Sequence, residues 1–276
     1  MEKILNKIRL YFNIYFFIFC CLLKIILIFS FSSEYNSSLF YAFVNLFANE
    51  GVINPWQFYL EQKLNLDSFP YHSLMLLIHY PFSVLSDFFN IQSIFKLPLL
   101  FADILIFYVL IKILPHKKKK IFLLYFLNPI ILYSTYIHFQ LDIIPTALLF
   151  YSIYLLVKNK NFYSSILFGL ALATKFHIII ALPLILFFLF KNKKLIVALK
   201  YLFFAIITCF LIDLPFLFSE GFIQMVLLNS KQTLLFDSFY TIGSVNILFP
   251  VAAVLLVYFH FFNQEKVNND LLYFYF

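Results

Sequence analysis

The chain comprises 276 residues, of which 63% are hydrophobic, 22% aromatic and only 12% charged, with a formal charge of +7. A water-soluble domain carries about 25% charged and 45–50% apolar residues, so this composition excludes a soluble fold and points to a helical bundle in lipid. The positive balance does not point to nucleic acid, because the basic residues stand in short clusters between apolar stretches, the pattern the positive-inside rule produces. A spanning helix needs roughly 20 mainly apolar residues, and such stretches recur from Phe12 to Phe262.

The first stretch follows Lys3, Lys7 and Arg9, lacks a small-residue cleavage site and runs too long for a signal peptide, so it is expected to be a retained helix over 12–32. The clusters Lys3 to Arg9, Lys117 to Lys120, Lys158 with Lys160, and Lys191 to Lys194 belong on the cytoplasmic side. Helix 12–32 therefore exits outward from a cytoplasmic N-terminus and 93–114 returns. Then 121–136 goes out, 138–157 in, 162–176 out, 177–190 in, 195–217 out and 245–262 in. The expected architecture is an all-α, polytopic transmembrane bundle of about eight spans, one domain over 1–276.

Between the first two spans lies a long external segment, 33–92. Its apolar run Ser73 to Phe89 would place the tetralysine outside if it crossed, so it is read as an interfacial or re-entrant helix. A second amphipathic helix is expected near Ser38 to Asn49, where Leu39, Phe43, Leu46 and Phe47 recur at helical spacing. Asn54 to Tyr59 has the aromatic character of a membrane–water boundary. With this topology the cytoplasmic side takes fifteen of the twenty basic residues but only Glu2, Glu265 and Asp270 of the thirteen acids. Ten carboxylates then lie outside or at membrane depth, where each needs a cavity or a partner.

The polar constellations follow in order. Glu34, where the first helix leaves the membrane, could act as a general base for a hydroxyl acceptor, or simply end a helix. Phe69-Pro70-Tyr71-His72 follows. Lys96 and Asp103, seven residues apart, share a helix face and are expected to stabilise each other. Asn128-Pro129 opens an outward helix that ends in His138-Phe139-Gln140-Leu141-Asp142. Three hydrogen-bonding side chains within five residues there require a wet pocket, a polar ligand or a hairpin to cap. Lys175, near His177 and ahead of Pro183, is an external lysine against the charge trend. It suits a phosphate or carboxylate partner, or snorkels to the headgroups. A last external loop, Ser219 to Ser244, carries Glu220, Lys231 and Asp237, with Asn246 beyond it. Cys20, Cys21 and Cys209 lie in apolar stretches without metal-type spacing and read as apolar fillers. No metal motif or phosphate-cradling glycine loop stands in the sequence, so the substrate is expected to reside already in the membrane.

The order of these elements resembles the polytopic glycosyltransferases of the GT-C class, which use polyprenyl- or dolichyl-phosphate sugars. The matching elements are an acid after the first helix, the aromatic-proline element Phe69-Pro70-Tyr71, Asn128-Pro129 leading to His138 through Asp142, and Lys175-Phe176-His177 before Pro183. His138-Phe139-Gln140 is similar to the glucosyltransferases of N-glycan assembly, and Gln140-Leu141-Asp142 to the related mannosyltransferases and their bacterial relatives. The resemblance implies transfer of a hexose from the lipid-phosphate donor to a lipid-linked or envelope glycan on the external face, by an inverting displacement. It implies Glu34 as base by position, with Asp67 or Asp142 as alternatives. Lys175 and His177 would face the phosphate, and His138, Gln140 and Asp142 would bind sugar hydroxyls or orient the loop. A divalent metal is compatible with this chemistry, though no ligand set is assigned. Members of the class continue with further helices, whereas this chain stops at Leu271 to Phe276, so a truncated or split product is expected. The competing expectations are a transporter or flippase of lipid-linked or small polar substrates, and an inactive membrane subunit. A bacterial plasma membrane is preferred to an endoplasmic reticulum.

Overall fold

The computed structural model describes residues 2–229, 240–242, 245–247, 249–264 and 272–273, with side chains over 14–35, 37–229, 251–264 and 272–273. Among the described residues the fold is predominantly helical, with one antiparallel pair of three-residue strands, Tyr240–Ile242 and Val245–Ile247. The expected residues Lys231 and Asp237, the side chain of Asn246 and most of the C-terminal apolar run lie outside the described residues.

The first helix, α1 (Glu2–Ser30), buries Cys20, Lys24 and Ile28 along one face and exposes Ile18, Leu22, Ile26 and Phe29 on the other. Both sets recur every three or four residues, so the helix presents one stripe to the protein and an apolar one outward. Segment 33–92 then folds as three helices, α2 (Tyr41–Ala48), α3 (Pro55–Glu61) and α4 (Ser73–Phe89). Asn54 caps α3 by accepting from the Gln57 N–H, with Pro55 at the first position, where a missing N–H costs nothing. Asn90 ends α4 in the left-handed conformation, φ 53°. These helices close over an aromatic core in which Phe43 stacks on Phe69 at 4.6 Å and Trp56 meets Phe216 and Phe222 at 4.8 and 5.1 Å. The last two rings come from the far end of the chain. At Gly221 a Cβ would lie 2.3 Å from the Trp56 carbonyl oxygen, so only glycine permits this approach.

Next come α5 (Leu97–Ile113), entered through a 3₁₀ turn at Gln92–Lys96, α6 (Lys118–Ile121) and the single turn α7 (Pro129–Ile131). The stretches Pro115–Phe126 and Pro129–Ile137 meet at a 43° bend at Asn128-Pro129. Helices α8 (Ile143–Val157), α9 (Asn161–Leu172), α10 (Leu182–Asn192) and α11 (Leu195–Asp213) complete the body, followed by the turn α12 (Glu220–Phe222) and α13 (Phe249–Phe262). Helices α8, α9 and α11 meet around a buried hydroxyl cluster, Ser152, Ser164 and Tyr201, at 3.1–3.3 Å. Small residues and hydroxyls are what bring apolar helices together in lipid.

Among the described residues, two stretches are long and apolar enough to cross a membrane, Gln92–Ile113 and Leu195–Asp213, or three if the bent pair forms one span. This corrects the expected count of about eight. The polar punctuation at Gln140–Asp142 and Thr174–Lys175 breaks the chain into real loops, leaving α8 with 15 residues and α9 with 12. At 1.5 Å per residue these helices are about 22 and 18 Å long, short of a hydrocarbon core of roughly 30 Å. Only 17% of the Leu195–Asp213 stretch is buried, and its outward face is apolar apart from the exposed Lys200.

The expected Lys96–Asp103 partnership is also corrected. Asp103 instead pairs with Lys24 of α1 and accepts from the Tyr136 hydroxyl, all three buried. Lys96 donates to the Phe31 carbonyl at the end of α1. Spacing along one helix cannot reveal a partner supplied by another.

Candidate functional site

The body and the 33–92 segment meet at the loop after α9. The His72 N–H donates to the Thr174 carbonyl at 3.1 Å and Leu74 N–H to the Ala173 carbonyl at 3.0 Å, fixing the chain immediately before Lys175. Lys175 is extended, φ −157° and ψ 128°, and its ammonium reaches the Asp142 carboxylate at 2.5 Å. The two side chains are 23% and 44% exposed, so the pair stays open to a ligand. The ammonium also lies 5.3 Å from the centroid of the buried Tyr71 ring. Burial, and then the Asp142 carboxylate, push the Tyr71 phenol well above its usual range, so it remains a neutral donor. His177, two residues beyond Lys175, has a buried Nδ1 without a partner among the described residues.

The turn that presents Asp142 is strained. Phe139 has φ +67°, a conformation that costs a bulky residue about 1–3 kcal/mol. Its ring is fully buried, 6.0 Å from Phe40 and 5.9 Å from Phe95, so core packing holds the reversal in place. Around it, His138 stands edge-on to Tyr35 at 4.9 Å and parallel to Tyr133 at 6.1 Å. Gln140 is exposed, its N–H held by the Ser134 carbonyl at 2.9 Å.

The structure thus gathers Asp142, Lys175, His177 and Tyr71, with His138 and Gln140 on the same strained turn. Glu34 is exposed, and among the described residues no hydrogen bond or ion pair joins its carboxylate to Asp142 or Lys175, although its neighbour Tyr35 touches His138. Asp67 accepts from Asn229 Nδ2 at 3.0 Å, an anchor between the 65–69 turn and the segment after α12. Glu220, at the start of α12, accepts from Gln224 at 2.9 Å.

One concavity is lined in part by His177, and a second lies in the 33–92 segment. An apolar crevice of about 470 Å³ runs between α8, α10 and α13, lined by Thr146, Phe150, His177, Leu184, Val254 and Tyr258 among others. His177 thus lines this crevice and lies within electrostatic reach of Lys175 and Asp142. A polar cleft of about 640 Å³ lies within the 33–92 segment, where Tyr41, Asn45, Glu50, Asp87, Asn90 and Gln92 converge. Sequence reasoning missed both, because their walls come from residues far apart in the chain. The chain matches no protein-family model, no curated protein and no solved structure.

Proposed function

We propose that the chain is an integral membrane glycosyltransferase of GT-C type that transfers a hexose from a polyprenyl- or dolichyl-phosphate sugar to a lipid-linked or envelope glycan on the non-cytoplasmic face. The observation that carries this reading is the open Lys175–Asp142 pair beside His177 at the apolar crevice. An amphiphile with a hydrocarbon tail and an anionic head fits such a junction, the tail in the crevice and the phosphate drawing Lys175 from Asp142. The acceptor hydroxyl loses its proton to a carboxylate as its oxygen bonds to the anomeric carbon. The bond from that carbon to the phosphate oxygen breaks, and the released charge rests on Lys175 with Tyr71 or His177 as a further donor. Asp142, freed from the lysine, is the base the geometry favours, with Glu34 and Asp67 as alternatives.

The test is transfer of labelled hexose from a polyprenyl-phosphate donor by the purified protein in lipid nanodiscs. Transfer that survives Glu34→Gln and Asp67→Asn but not Asp142→Asn is expected. Absence of transfer with every donor, and of donor binding, refutes the reading. A transporter or flippase is the second reading, supported by the buried Lys24–Asp103 pair, since intramembrane charges mark substrate and proton paths. Movement of the labelled lipid across proteoliposomes without a covalent product would favour it.

A further inference from the structure

Where α4 begins, the 33–92 segment presses against the end of α11. Three side chains with metal-ligating chemistry converge there, and none belongs to the site described above. Cys209 and Asp213 stand four residues apart on α11 and so share a face. His72, immediately before α4, completes the group. His72 Nδ1 lies 2.7 Å from Asp213 Oδ2, and Cys209 Sγ lies 3.6 Å from the same oxygen. One ligand atom from each residue falls within 4.8 Å of the others. His72 and Asp213 are almost wholly buried, and the Ser73 N–H holds the second carboxylate oxygen at 3.1 Å.

A hydrogen-bonded fastener would account for the His72–Asp213 contact alone, but among the described residues it leaves the buried Ser73 hydroxyl, whose own N–H holds Asp213, without a partner, and buried polar groups in native interiors are rarely left so. The donor set is nitrogen, sulfur and oxygen, the borderline-soft mixture that selects zinc over magnesium or calcium. Tetrahedral zinc, with bonds of about 2.0–2.3 Å, sets sulfur and oxygen about 3.6 Å apart and nitrogen and oxygen about 3.3 Å apart. The Cys209–Asp213 separation already has the first value. The His72–Asp213 hydrogen bond would open by roughly half an ångström on taking the second. A thiolate and a carboxylate together cancel a divalent charge, so the filled site is neutral where an uncompensated ion would be costly.

From this geometry we propose that His72, Cys209 and Asp213 form a zinc site that clamps the start of α4 to the end of α11. On binding, the Cys209 thiol releases its proton to solvent, the His72 Nδ1 facing Asp213 gives up its proton as the ring passes to the Nε2–H tautomer, and the fourth position is left to water or to the Ser73 hydroxyl. The clamp bears on the neighbouring pair, because the same His72 donates through its backbone to Thr174, next to Lys175. Zinc binding does not depend on what the Lys175 region does, so it is testable without any transfer assay.

The test is metal content of the purified full-length protein in nanodiscs after exposure to Zn²⁺ and removal of the excess. The expected result is about one zinc per chain, a higher melting temperature with Zn²⁺ than with chelator, and loss of both in Cys209→Ser. With Co²⁺ as probe, the wild type shows a thiolate-to-metal charge-transfer band that Cys209→Ser lacks. Serine keeps the size of cysteine, so this variant separates lost ligation from lost folding. Absence of bound zinc in the folded wild type, or wild-type zinc content in folded Cys209→Ser, overturns the proposal.

Discussion

Replacing Asp103 by leucine strands the Lys24 ammonium in a site where neither residue is exposed. Breaking a buried pair by removing one partner costs about 3–5 kcal/mol. Here part of that is retained, because the ammonium lies 3.4 Å from the Phe126 centroid and 5.4 Å from that of Tyr136, and such contacts contribute about 0.5–2 kcal/mol. The net loss expected for Asp103→Leu is about 2–4 kcal/mol. Adding Lys24→Met removes the stranded charge and recovers most of it. The Tyr136 hydroxyl, which donated to Asp103, then remains unpaired at a cost of about 1–3 kcal/mol, and Tyr136→Phe removes that as well. Reversible unfolding of the single, double and triple variants in detergent micelles therefore ranks them in rising stability, the triple variant near wild type. A double variant no more stable than Asp103→Leu would refute the reasoning, since the two charges would then not be partners.

Gly169 is a second probe. A Cβ there would lie 2.4 Å from the Ala205 carbonyl oxygen and 2.7 Å from Thr208 Cβ, so Gly169→Ala is expected to cost about 1–3 kcal/mol by forcing α9 from α11; an unchanged melting temperature would contradict this packing. His79, on α4 in the segment read as external, is held neutral by burial, which pushes its pKa down to about 4. An unfolded histidine titrates near 6.5. This contribution is therefore complete above about pH 6.5 and is lost as pH falls through 4, a span worth about 3 kcal/mol. Stability measured between pH 7 and 4 should fall more steeply in the wild type than in His79→Leu, and parallel curves would contradict the burial argument.

Much of this fold could be read from local chemistry. The apolar helix α1 and the helix start at Asn128-Pro129 each follow from residues within a few positions of one another, whereas Asn54 to Tyr59, read as an aromatic boundary, opens α3, and the 43° bend was not expected. The span count could not be read locally. Whether Gln140 to Asp142 interrupts a helix or rides within it depends on the Phe139 reversal, and that reversal is held by Phe40 and Phe95 from elsewhere in the chain. Pairing was not legible: Asp142 and Lys175 each stand out in the sequence, but their direct contact does not. Lys96 was matched to Asp103 on helix periodicity, while the actual partner, Lys24, lies on another helix 79 residues away. Asp213 drew no attention because its partner, His72, is 141 residues distant.

We propose that Lys175 holds the phosphate of a lipid-linked sugar. The most direct test is the rate of labelled hexose transfer from a polyprenyl-phosphate donor by wild type and Lys175→Met in nanodiscs, with kcat and KM resolved. The expected result is a fall in kcat of about 100-fold or more, as when a group stabilising developing charge is removed, with the protein still folded. Wild-type turnover by Lys175→Met would contradict it.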